Sequence, residues 1–235
     1  MGKEDVVEIS IGWLLMTVVF GLVFSYLLEL PLQLAFLYGS VVSAITVIGH
    51  ELAHLFTAQV VCNIRQSEFV LTTFAIKVSL FSILVLLILM WLKSTFGVKT
   101  YFLPLVASPG AIYVENLRIR KCGDNIAIAG PLYNFVVGLI GLVLLFTMTS
   151  PPFVLNSSDP ALAVLALVTY FSFVLAFINS LPIKIGNLAL DGYHALTIDP
   201  EDKLSKFLTI FILFISFCIT MLTNWWVVVE VVTHA

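Results

Sequence analysis

The sequence predicts an all-α, multi-pass membrane protein with about six transmembrane helices and a small β or re-entrant element. Of its 235 residues, 60% are hydrophobic and 11% are charged, and the mean hydropathy is +1.10. A soluble domain carries about 25% charged residues. Water would not solvate this much apolar surface, so the bilayer is the expected solvent. We expect one membrane-embedded domain over residues 1–235, with a core at about 34–200.

Six apolar stretches reach the roughly 17–25 residues that a helix needs to cross a bilayer. They are about 11–30, 34–61, 79–96, 126–148, 161–181 and 207–230. The four tryptophans lie near the ends of these stretches, where the indole N–H finds polar partners. The positions of the tryptophans therefore support the predicted boundaries independently of hydropathy.

Two further segments are the basis for the small β or re-entrant element. Tyr101 to Val114 is too short for an ordinary crossing and contains Pro104, Pro109 and Gly110, so we interpret it as extended or re-entrant chain buried within protein. The segment 66–78 is rich in strand-forming residues. The two segments are candidates for a small sheet beside the helices.

Lysine and arginine suggest an orientation. They cluster in 62–78, 115–125 and 184–206, whereas the 149–160 loop has none. Basic loops stay in the cytoplasm, so the pattern predicts a cytoplasmic N-terminus. Lys93 and Lys99 do not fit this pattern.

Charge and cysteine content exclude other classes of protein. The net charge of −3 and the short basic clusters give no support for nucleic-acid binding. The three cysteines, Cys62, Cys122 and Cys218, are far apart and form no CxxC pair. We interpret each as a small apolar packing residue rather than part of a disulfide framework or a thiolate metal site.

The second predicted helix contains the motif His50-Glu51-Leu52-Ala53-His54, which is HExxH. Residues four apart lie on one helix face, so the two imidazoles can bind one metal ion. Glu51 is adjacent and can act as general base on a bound water. Ionisable groups within a membrane cost a few kcal/mol each and need an internal partner, which a metal supplies. The alternative is a pair of hydrogen-bonded core histidines.

The motif belongs to a stripe of polar residues on the same helix: Ser43, Thr46, His50, His54 and Thr57. Such a stripe faces protein interior or a wet cavity, and a hydrolase needs a cavity through which water arrives. The alternative is an interhelical packing face, where Ser and Thr are common.

Catalytic zinc takes three protein ligands and one open position. Asp191, in Leu190-Asp191-Gly192-Tyr193-His194, is the best candidate for the third ligand, and His194 is the runner-up. Asp191 also suits a helix N-cap. Two His and one carboxylate would equally accept iron or cobalt.

HELAH in a membrane helix, followed by LDG near a late one, resembles the site-2 protease family of intramembrane zinc metalloproteases. Ala129-Gly130-Pro131-Leu132-Tyr133-Asn134 matches the family's AGPxxN pattern, and the order HExxH, GPxxN, NxxP, LDG is the family order. The resemblance covers roughly residues 40–200. Ser108-Pro109-Gly110-Ala111 also looks like archaeal members, whereas the PDZ or CBS domains of many members are absent.

The resemblance implies a six-helix domain of a prokaryotic cell membrane that cleaves transmembrane segments of other proteins. His50, His54 and Asp191 would bind zinc, and Glu51 would be the general base. Asn179 and Asn134 would bind the substrate or the oxyanion. Asn179 lies 12 residues before Asp191, a longer spacing than is usual in the family, which leaves Asn187 as a rival.

Three alternatives use the same residues. A metal-binding or transport protein would have no need for Glu51 and would more often show paired repeats, which this sequence lacks. A catalytically inactive relative typically loses the ligands or the base, all of which are present here. An unrelated membrane zinc protease would not explain the GPxxN and LDG matches.

Overall fold

The computed structural model describes residues 3–64, 67–71, 73–96, 110–114, 122–148, 160–185, 188–197 and 202–233. The helices are α1 (Lys3–Leu27), α2 (Leu32–Ser43), α3 (Gly49–Phe56), α4 (Thr73–Phe96), α5 (Gly123–Met148), α6 (Pro160–Asn179), α7 (Asp191–Thr197) and α8 (Lys203–Thr233). Two π-helical turns, Ala44–Ile48 and Thr57–Val61, flank α3. The strands are β1 (Ser67–Leu71), β2 (Gly110–Val114), β3 (Lys184–Ile185) and β4 (Leu188–Ala189).

Among the residues that the structure describes, six helices are long and apolar enough to span a membrane, which confirms the predicted number and class. They are Val6–Tyr26, Leu32–Val61, Ile76–Phe96, Gly123–Met148, Pro160–Asn179 and Lys203–Met221. Their outward residues are large and apolar, such as Leu80, Phe81 and Leu84 on α4, each more than half exposed. Lipid covers such a surface without cost, whereas water does not. The chain is therefore a multi-pass integral membrane protein.

The strands form two small sheets. One pairs β1 with β2, and the other is the antiparallel pair β3–β4, in which Lys184 is opposite Ala189. Of the segment interpreted as re-entrant, residues 101–109 lie outside the described part of the chain. Its path relative to the membrane stays a prediction, as does the cytoplasmic orientation of the N-terminus.

The chain divides into two compact units, the first being Met1–Ile48 with Glu68–Tyr113. In this unit α1 and α2 pack closely, because a Cβ on Gly39 would lie only 2.7 Å from the backbone nitrogen of Gly21. Small residues allow such close helix contacts in membranes. Trp13 Nε1 donates a hydrogen bond to the Ser40 carbonyl at 3.0 Å, which adds a polar tie between the same helices.

The second unit comprises Gly49–Ser67 and Val114–Ala235. Its central element is α5, which contacts α3, α6, α7 and α8. The Phe135 and Phe173 rings meet edge to face at 6.1 Å, and Ile212 of α8 joins the same buried cluster. Gly138 lets α6 approach, since a Cβ there would lie 3.0 Å from the Phe173 ring. Helix α5 therefore contacts both α3 and α7 and positions them relative to each other.

A disulfide joins Cys62 and Cys122 within the second unit, with Cα atoms 6.0 Å apart. That separation lies in the usual disulfide range. The interpretation of all three cysteines as packing residues is thus wrong for this pair, and Cys218 alone is a free, half-buried thiol. The two cysteines are 60 residues apart in sequence. Helix packing brings them together, which no local spacing pattern reveals.

Candidate metal centre

The HExxH motif occupies one short α-helical segment, α3, inside the long membrane helix. A π-helical turn precedes it and another follows it. Each such turn widens the helix locally and is frequent at functional sites. His50, Glu51 and His54 are buried at 3%, 3% and 5% exposure. The motif's ionisable groups therefore face protein rather than lipid, as the predicted polar stripe requires.

Three donor atoms converge at this point. His50 Nε2 and His54 Nε2 lie 3.1 Å apart. Asp191 Oδ2 lies 3.1 Å from the first nitrogen and 3.3 Å from the second. Tetrahedral ligands with bonds of about 2.0–2.1 Å are separated by roughly 3.3 Å. The observed triangle thus has the size of one face of a tetrahedral metal site, and the three predicted ligands are together.

Asp191 reaches the histidines from the first position of α7. The Leu190 amide donates to the Ile183 carbonyl, and the Tyr193 amide donates to the Leu190 carbonyl, both at 3.0 Å or less. Gly192 lies against the Ser180 carbonyl so closely that no side chain fits there. The glycine of LDG therefore lets α7 begin beside the end of α6. This contact directs Asp191 at the metal-ligand position rather than at a backbone cap.

The charge state of Asp191 is set by its neighbours. Enclosure by protein acts to raise the pKa of the Asp191 carboxyl, but the charge of His54 and hydrogen bonds from both imidazoles outweigh it. The pKa of Asp191 is consequently held below its usual range. The carboxylate is one quarter exposed and remains ionised at neutral pH, which is the form that binds a cation.

Helix α5 contacts the Nδ1 atom of each imidazole. His54 Nδ1 donates to the Ile126 carbonyl at 2.5 Å, and the Asn134 amide contacts His50 Nδ1 at 3.0 Å. Between them, Gly130 lies directly against the Nε2 atoms of both rings. Ile126, Gly130 and Asn134 are spaced four apart, so they form one stripe along α5. Each ring therefore turns its Nε2 toward the place where a metal would bind.

Two of these residues had no role in the sequence analysis. Ile126 acts through its backbone carbonyl, which carries no sequence signal. Gly130 belongs to AGPxxN, and its spacing of four from Asn134 is the signal that could have identified it. A Cβ at Gly130 would occupy the space between the two ring nitrogens. Glycine at this position therefore leaves open the space in which an ion could bind.

The remaining candidates are placed differently. His194 is exposed and its ring meets that of Tyr193 at 5.8 Å, and it is not part of the metal-binding group. The runner-up ligand is thus not brought to the site. Asn179 ends α6 and is 9% exposed, and its role stays a prediction. Asn187 lies outside the described residues.

Glu51 is not one of the three convergent donors. It lies next to His50 in α3, is buried, and is close enough to His54 for their charges to interact. A carboxylate in that position suits proton transfer at the site more than coordination. Its function as general base stays a prediction.

Comparison of the chain with protein-family models, with curated proteins and with solved structures gives no match. The resemblance to site-2 proteases therefore depends on the ordered motifs alone. The residues fit a metal by their own geometry, because two imidazoles and one carboxylate converge and Gly130 leaves room between them. This ligand set accepts zinc, iron or cobalt.

Proposed function

We propose that this protein is an intramembrane zinc endopeptidase that hydrolyses peptide bonds in transmembrane segments of other proteins. The observation that carries the proposal is the buried triangle of His50, His54 and Asp191, with Glu51 beside it in a membrane helix. A purely structural role for these groups would not need three donors turned toward one point. A metal-transport role would not need the fourth ionisable residue, Glu51.

The proposed chemistry divides between the ion and the chain. His50, His54 and Asp191 would hold a zinc ion, which would lower the pKa of a bound water to about 7 and polarise a carbonyl oxygen. Glu51 accepts the proton from the attacking water and delivers it to the leaving amine. The imidazoles and Asp191 keep their orientation because α5 and the Leu190 turn hold them.

The substrate must present a carbonyl to this site. A transmembrane helix hides its carbonyls in hydrogen bonds from residue i to residue i−4, so it must unwind locally before cleavage. We assign the holding of the unwound segment to a strand edge, by strand addition.

The test compares wild type with Glu51→Gln in proteoliposomes that contain a single-span test substrate and zinc. Removing a general base costs about 10²–10⁴-fold in rate. We expect that loss, with one zinc ion still bound per chain. Glu29→Gln is the matched control, because Glu29 is an exposed carboxylate that pairs with Lys93 in the first unit. Wild-type cleavage by Glu51→Gln, or no cleavage by zinc-loaded wild type, would contradict the proposal.

A further inference from the structure

Asn134 is completely buried, and its amide is only half satisfied. Its Nδ2 lies 3.0 Å from His50 Nδ1, and its exposure is 0%. Its Oδ1 has no hydrogen-bond partner in the part of the chain that the structure describes. A buried carbonyl oxygen without a partner destabilises the folded protein. Such a group calls for a physical explanation.

The ion-free arrangement explains the observed orientation of the amide. When Asn134 Nδ2–H donates to His50 Nδ1, the proton of His50 is on Nε2. His50 Nε2–H and His54 Nε2–H then both donate to Asp191 Oδ2, at 3.1 Å and 3.3 Å. The other ring nitrogen of His54, Nδ1, donates to the Ile126 carbonyl. Every ring nitrogen has a partner of the correct type.

That arrangement is incompatible with metal coordination by His50. An imidazole that binds an ion through Nε2 has a lone pair there and carries its proton on Nδ1. Nδ1 then becomes a donor and cannot bond to the N–H of an amide. A rotation of the Asn134 amide by 180° exchanges Nδ2 for Oδ1, which then accepts this proton. The same rotation gives the unpartnered oxygen a partner and turns the amide nitrogen to the side that the oxygen occupied.

We propose that Asn134 is a positioning residue whose Oδ1 accepts a hydrogen bond from His50 Nδ1–H in the ion-bound state and so fixes the metal-binding tautomer. The imidazole stays neutral throughout: one proton leaves Nε2 to solvent and another is taken up at Nδ1. This inference deepens the metal site of the proposed function and rests on it.

The two histidines differ in this respect. The Ile126 carbonyl can only accept, so it keeps His54 permanently in the metal-binding tautomer. The amide of Asn134 can either donate or accept, so it serves His50 in both states. Asn134 contacts the side of the His50 ring that carries Nδ1, away from the converging Nε2. It is therefore placed to act on the ion through His50, and the substrate or oxyanion contact that the family resemblance implies stays a prediction.

The test measures Co²⁺ affinity of the purified full-length protein by competition with a chromophoric chelator, and records the Co²⁺ absorption bands. Asn134→Leu removes both hydrogen-bonding groups at similar volume. We expect it to bind Co²⁺ about 10–100-fold more weakly, the usual effect of losing a partner behind a ligating histidine. Asn134→Asp keeps the acceptor and loses the donor. We expect it to bind at least as tightly as wild type, with unchanged bands.

Two results would overturn the inference: Asn134→Leu with an affinity within threefold of wild type, or Asn134→Asp weakened as much as Asn134→Leu. If Asn134→Leu does not fold, Asn134→Asp remains as the test. Co²⁺ binding by Asn134→Asp that is tenfold weaker than wild type would then overturn the inference. Thr169→Val on α6 is the packing control, because its buried hydroxyl bonds only the Leu165 carbonyl of its own helix. Failure of the peptidase assay with these affinities intact would refute the proposed function and leave the inference standing.

Discussion

A single methyl group added at Gly130 tests the geometry of the metal centre. An ideal Cβ there would lie 2.5 Å from His50 Nε2 and 2.6 Å from His50 Cε1, and closer still to His54 Nε2. Ordinary non-bonded contacts need about 3.5 Å. One ring or the helix must therefore move by roughly 1 Å, whereas metal–ligand distances tolerate only about 0.2 Å. We expect Gly130→Ala to weaken zinc binding by at least about 100-fold, or about 2.7 kcal/mol.

The assay combines zinc content by mass spectrometry with a chelator-competition titration. Gly138→Ala is the matched control, since it adds the same methyl to the same helix against the Phe173 ring at 3.0 Å. Overpacking at this position costs about 1–3 kcal/mol of stability. We expect the Gly138 variant to keep one zinc per chain at wild-type affinity. If Gly130→Ala binds one zinc as tightly as wild type, the positions assigned to the two ring nitrogens are wrong.

Three further predictions concern acid, the disulfide and the membrane orientation. Asp191 stays ionised as the pH falls from 7 to 5, because its pKa is held low, so the loss of zinc over that range reports protonation of the imidazoles. The zinc dissociation constant should then rise as the pH falls over that range, and a flat profile would exclude histidine ligands. The disulfide between Cys62 and Cys122 links residues 60 apart in sequence. The double substitution Cys62→Ser, Cys122→Ser should therefore lower the free energy of unfolding by at most about 4 kcal/mol. If the orientation predicted from charge is correct, an impermeant maleimide labels the reduced thiols of Cys62 and Cys122 only after cell lysis. Labelling of these thiols in intact cells would show that the opposite orientation is correct.

The membrane architecture was predictable because it depends on composition along the chain. Twenty or so consecutive apolar residues span a bilayer whatever their partners are. The HExxH spacing fixed the relation of His50 to His54 in the same way, because both lie on one helix turn. These predictions needed only local periodicity, and the structure agrees with them on the helices and on the closeness of His50 to His54.

The features that sequence did not yield all depend on contacts between distant segments. Asp191 and His194 share a seven-residue helix, yet only Asp191 faces the site, because Gly192 seats the start of α7 against Ser180. The Ile126 carbonyl has no residue signature, since every residue has one. The partner of Cys62 is set by how α5 packs on α3. Sequence gave the candidates, and tertiary packing selected among them.

The central claim is that His50, His54 and Asp191 together bind one ion. The most direct measurement is the metal content of purified wild type, of Asp191→Ala and of His194→Ala, after dialysis against a weak chelator. His194 is the matched control because it lies on the same helix and is exposed. The account predicts one zinc ion per chain in wild type and His194→Ala and a loss of at least tenfold in content for Asp191→Ala. A wild type without metal, or Asp191→Ala with a full complement, would contradict it.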